Sequence, residues 1–131
     1  MTPWIVWALF ALFIAKHYVA DFPLQRNPYT WQYKHLYWHP GGWLHAFIHG
    51  VSTFWVLSLV SLYAPITLTA CAALAVADMV IHHHVDWWKM NKNRREGWKP
   101  DTSPEFWVLL GQDQLAHYAT YAAIIAVLMV L

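Results

Sequence analysis

Charge is scarce in this chain. Only 11% of its 131 residues are Asp, Glu, Lys or Arg, while 59% are hydrophobic. A water-soluble domain carries about 25% charged residues, so the composition excludes an ordinary soluble globule and points to a membrane protein. The formal net charge is +1, too small a basic excess for nucleic acid to be the main partner. A single cysteine, Cys71, excludes an internal disulfide. No Lys or Arg precedes Lys16, so the first apolar segment lacks the basic leader of a cleavable signal peptide and is expected to be a retained helix. Internal repeats and low-complexity stretches are missing, and one domain over residues 1–131 is expected. The chain has no G-x-S-x-G, H-E-x-x-H or phosphate-binding glycine loop, which leaves serine-nucleophile chemistry and nucleotide hydrolysis without support.

Long apolar runs are what the chain does have. Four segments, approximately Pro3–Asp21, Gly42–Tyr63, Pro65–Trp88 and Pro104–Leu131, reach the roughly 17–25 residues that span a bilayer. The expected fold class is therefore all-α: a polytopic membrane protein, a four-transmembrane-helix bundle with both termini on the same side. Pro3 and Pro65 are expected in first helical turns, where a missing N–H is harmless. Thr102-Ser103-Pro104-Glu105 reads as a capping box opening the last helix. Both long connections, 22–41 and 89–103, then share one side of the membrane. So do all eight basic residues: Lys16, Arg26, Lys34, Lys89, Lys92, Arg94, Arg95 and Lys99. The positive-inside rule makes that side cytoplasmic and puts the termini outside, in keeping with a bacterial inner membrane. Most of the ten tryptophans are expected to form interfacial belts.

Each long segment carries two metal-ligand residues four apart: His17/Asp21, His45/His49, His82/Asp86 and Asp113/His117. Four residues is one helical turn plus about 40°, so each pair shares one helix face. Ionisable groups inside apolar segments are costly and mark functional sites. Counted from the outer ends at 1.5 Å per residue, His17, His49, His82 and His117 all lie roughly 21–26 Å deep. Asp21, His45, Asp86 and Asp113 fall one turn nearer the cytoplasm. Two stacked layers are expected, one of four histidines and one of three aspartates with a histidine. Asp78 extends the stripe of the third segment one turn outward. His83 and His84 point away from that stripe, and His35 and His39 fall in the first long loop, so none of these four is expected to be a ligand.

Histidine and carboxylate donors suit a divalent transition metal, zinc first, with iron or manganese as alternatives. Eight donors exceed one tetrahedral ion, so either two ions bind or some residues orient others. An aspartate outside the coordination set, Asp78 or Asp21, is the expected general base. Lys16, Lys89 and Arg94 are expected to hold a phosphate as charge-assisted donors.

The elements His17-x-x-x-Asp21-Phe22-x-x-Gln25, His45-x-x-x-His49-Gly50, His82-x-x-x-Asp86-x-x-Lys89 and Asp113-Gln114-x-x-His117 run in order along nearly the whole chain. In these elements the chain resembles a small family of bacterial and phage integral membrane proteins catalogued as a domain of unknown function. That family has no established activity, so the resemblance supports the constellation rather than a reaction. In its general look that family is similar, by analogy only, to small membrane-bound metal-dependent hydrolases. The resemblance is what adds Gln25 and Gln114 to the expected substrate-binding residues, and it is the chief ground for Lys89.

The function expected is a metal-dependent hydrolase acting on a lipid or lipid-linked substrate at the cytoplasmic leaflet. A membrane di-iron oxidase or hydroxylase is one alternative. The other is a non-enzymatic protein, either a metal or proton pathway or a phage-type membrane protein acting on a host partner. The outer halves offer mainly serine and threonine beyond Asp78, which disfavours a through-channel. Nothing in the sequence sets the oligomeric state.

Overall fold

The fold was read from a computed structural model whose described residues are 1–130. Helix α1 runs Pro3–Asp21, α2 Pro28–Trp31, α3 Pro40–Val60, α4 Leu68–Glu96 and α5 Pro104–Val130, with a 3-10 turn at Leu24–Arg26. No strand occurs among the described residues. Helices α1, α3, α4 and α5 are long and apolar enough to cross a membrane. They close a ring in which α1 packs on α3, α3 most extensively on α4, α4 on α5, and α5 back on α1.

Local chemistry sets the helix ends. Pro3 and Pro40 occupy first turns, and the His39 side chain accepts from the Gly41 amide to cap α3. That cap starts α3 two residues before the expected Gly42, and the helix ends at Val60 rather than Tyr63. Pro65 does not open α4. The Thr67 hydroxyl accepts from the Ala70 amide and starts the helix at Leu68 instead. At its other end α4 continues past Trp88 to Glu96, because its polar final turns remain good helix formers once outside hydrocarbon. Gly97, at φ 69, supplies the left-handed residue that terminates it. Before α5 the Ser103 hydroxyl accepts from the Lys99 amide, so it ties down the preceding turn and not the helix start. The last residue of the expected fourth segment, Leu131, lies outside the described residues.

The connection between α1 and α3 is not a plain loop. The Asn27 side chain caps α2 by accepting from the Tyr29 amide, and the stretch that follows is pinned to α4. His83 and Asn91 donate to the carbonyls of Tyr37 and His35, and the Trp43 indole also donates to Tyr37. His83 stacks on Trp43 with ring centroids 3.9 Å apart. Lys34 is thereby carried into the bundle, 6% exposed.

The bundle divides along its length. At one end Ile5, Leu9, Phe13, Leu57, Val60, Cys71, Ile124, Ile125 and Leu128 form an apolar core. At the other, every fully buried histidine and aspartate gathers between the same four helices. The exposed Trp4, Trp7, Trp38, Trp55 and Trp107 face outward, as amphipathic rings do against lipid and its interface.

Candidate functional site

The spacing of four residues brings one stripe from each long helix to the bundle axis. His17, His45, His49, His82, Asp113 and His117 are each no more than 1% exposed. The His82 ring lies between those of His49 and His117, stacked at centroid distances of 3.6 and 4.1 Å. His17 meets His49 and His117 at 5.5 and 5.0 Å. Gly50 makes this approach feasible: a Cβ there would stand 3.0 Å from Met79 Cβ and 3.1 Å from the Ala75 carbonyl, so a larger residue would push α3 off α4.

Asp21 is the focus of one group. Its Oδ1 lies 3.0 Å from His45 Nε2, 3.0 Å from His49 Nε2 and 3.7 Å from His82 Nε2. His45 Nε2 and His82 Nε2 are themselves 3.0 Å apart, so only one of the two can carry a proton in that contact. These four donor atoms all lie within 4.8 Å of one another. Around a metal with bonds of about 2.0–2.1 Å, tetrahedral ligand atoms stand about 3.4 Å apart; the closest contacts here run from 3.0 to 3.7 Å. His17 sits behind the group. Its Nε2 donates to Gln114 Oε1 at 3.0 Å and faces Asp21 Oδ2 at 3.1 Å, while its Nδ1 lies 2.9 Å from the Tyr121 hydroxyl.

His82, Asp86 and His117 form a second group of the same kind. Asp86 Oδ2 faces His82 Nε2 at 3.2 Å and His45 Nε2 at 3.4 Å. Asp113 Oδ1 lies 3.5 Å from His117 Nε2. The second nitrogen of His82, Nδ1, is buried without a hydrogen-bond partner.

Lysines settle most of the buried charge. Lys16 donates to Asp78 at 2.8 Å, Lys34 to Asp86 at 2.6 Å and Lys89 to Asp113 at 2.8 Å. Three buried carboxylates and the partly buried Asp21 against three ammonium groups leave one negative charge with the histidines neutral, and it belongs to Asp21, the only one of the four with no lysine paired to it among the described residues.

This pairing revises several expectations. Asp78, expected as a free general base, is 1% exposed and held by Lys16 and by the Thr53 hydroxyl at 2.5 Å. Lys16, expected to hold a substrate phosphate, and Lys34, expected with it on the cytoplasmic side, point into the bundle, where each meets a buried carboxylate across the axis. Lys89 and Gln114 do enter the site. Gln114 spans it, accepting from His17 and donating to Asp113 at 3.1 Å. Gln25 accepts from Lys34. Arg94 is exposed in the last turn of α4, beyond the cluster, so the structure does not bring it to the site. His84 bonds the Tyr37 hydroxyl on the exterior.

Lys34, Thr53 and Tyr121 were not anticipated. Thr53 and Tyr121 had a signal: each lies four residues beyond His49 or His117, just as Asp78 precedes His82. Together with Phe13 they form a third buried layer on the apolar side of the histidines. An open cleft of about 490 Å³ has Asp21 in its wall, together with Tyr18, Phe22, Pro23, Gln25, Arg26 and Trp31.

The family model described as "Protein of unknown function (DUF3307)" matches residues 9–131, and the chain belongs to that family. No curated protein and no solved structure matches it.

Proposed function

We propose that this protein is an intramembrane metal-dependent hydrolase of a lipid or lipid-linked substrate. The observation that carries this reading is Asp21, a carboxylate largely withdrawn from solvent with no lysine paired to it among the described residues, met by the Nε2 atoms of three histidines from two other helices. Burying such a charge unpaired is costly, and a divalent ion held by Asp21, His45, His49 and His82 resolves the cost. Zinc suits an N₃O set of this spacing, with iron or manganese as alternatives. Bound there, the ion would polarise a substrate oxygen and activate water.

The protein's own residues prepare the rest. Asp21 forms part of the cleft wall, so the centre has a path to the exterior. A divalent ion turns the interior charge from one negative to one positive, and that excess favours an anionic substrate such as a phosphate ester. Arg26, exposed at the same cleft, offers a charge-assisted donor to such a group. Phe22, Leu24 and Trp31, each 42–52% exposed beside it, suit an acyl or prenyl chain. Arg26, Lys92, Arg94, Arg95 and Lys99 on the cleft side support a cytoplasmic orientation of that side by the positive-inside rule.

The test is elemental analysis of the full chain purified in mild detergent, followed by assay of phosphate release from lipid phosphates. We expect bound zinc or manganese, lost in Asp21→Asn, and turnover that depends on it. Iron with visible absorption would move the reading to an oxidase, and a metal-loaded protein without turnover of any lipid phosphate or ester would leave a metal-binding membrane protein.

A further inference from the structure

Two buried atoms on the far side of His82 have no hydrogen-bond partner: His117 Nε2 and Asp113 Oδ1. They lie 3.5 Å apart on residues that are 1% and 0% exposed. A buried polar atom left so is costly, and with the His117 proton on Nδ1 its Nε2 lone pair would face this carboxylate oxygen, as two ligands of a shared cation do. Asp86 Oδ1 stands 3.9 Å from His117 Nε2, while Asp86 Oδ2 faces the histidines of the first group. One carboxylate therefore reaches both sides of His82.

We propose a second divalent metal site, with His117 Nε2, Asp113 Oδ1 and Asp86 Oδ1 as ligands and the Asp86 carboxylate bridging the two ions. The proposal rests on the metal reading above for its first ion. The His82 Nε2 lone pair serves only one ion, and His45 Nε2 at 3.0 Å assigns it to the first. Carboxylate-bridged ions in hydrolytic centres sit about 3.5–4 Å apart, where they clamp the attacking and leaving oxygens of one reaction. The two sites differ in openness. Five protein ligands, with Asp86 Oδ2 added to the four above, fill the first, whereas three leave the second a free position, the usual mark of the site where water or substrate binds. Lys34 and Lys89 hold the Oδ2 atoms of Asp86 and Asp113 and leave each Oδ1 available. They also partly neutralise both carboxylates, so the second ion binds more weakly than the first.

The experiment counts ions. The full chain in mild detergent is loaded with excess Mn²⁺, freed of loose metal and measured by mass spectrometry and electron paramagnetic resonance. Wild type should hold about two ions per chain with a spin-coupled spectrum. His117→Ala should hold about one, uncoupled. Asp113→Asn, which keeps its size and one acceptor oxygen, should behave alike and guards against a folding defect in the alanine variant. Circular dichroism reports the fold of each. One ion in wild type, unchanged by His117→Ala, overturns the second site and leaves the first reading standing. A single ion that His117→Ala removes overturns both assignments, as does a wild type holding none. Two ions retained in both variants overturn the ligand set.

Discussion

Asp78 and Asp21 lie one helical turn to either side of the same histidine layer, and their surroundings are opposite. Asp78, on the apolar side, is satisfied by a lysine and a threonine and is sealed at 1% exposure. Asp21, on the polar side, has histidines for partners and forms part of the wall of an open cleft. A buried charge is therefore not by itself a mark of chemistry. Lys16 makes Asp78 a structural tie between α1 and α4, whereas Asp21 combines unmatched charge, converging nitrogens and access.

The sharpest way to break this comparison is to neutralise each carboxylate in turn. Asp21→Asn is expected to abolish binding of the first ion, a larger effect than the roughly 10–100-fold cost of losing an outer-shell partner. Asp78→Asn should leave that binding in place, and equilibrium dialysis distinguishes the two. Next in size, Lys16→Met should lower stability by about 3–5 kcal/mol, because it leaves Asp78 buried and unpaired. Unfolding in mixed detergent reads that loss, and adding Asp78→Leu should restore most of it. Full stability in Lys16→Met alone would show that the pair is not a tie.

A smaller effect tests whether His17 lies behind Asp21 and is not itself a ligand. His17→Ala should weaken the first ion about 10–100-fold without abolishing it, the cost of an unsupported ligand. Complete loss would return His17 to the coordination set. Arg94→Gln should change neither metal content nor stability, within about 0.5 kcal/mol, as an exposed residue away from the site. A clear fall in substrate affinity in that variant would reinstate Arg94 as an anchor.

The four spans and the stripe on each were readable because both depend on local spacing. Helix α1 begins and ends at the residues anticipated from Thr2-Pro3 and Asp21. The end of α4 was missed because hydropathy marks where a helix leaves lipid, not where its hydrogen bonds stop. Glu96-Gly97 carried the signal that does. The stripes themselves ran further than histidine and aspartate alone revealed, since Thr53 and Tyr121 obey the same spacing with less conspicuous side chains.

By itself, then, the sequence determined how many long helices there are and which face of each is polar, since a period of 3.6 residues is a property of neighbours along the chain. Only the tertiary structure decided the partners. Whether a buried carboxylate meets Lys16, Lys34, Lys89 or a ring of histidines depends on how the helices rotate and how the 22–39 segment folds back over α4. Those choices are made by packing at Gly50 and by Coulomb attraction across the bundle axis, between residues up to 62 positions apart.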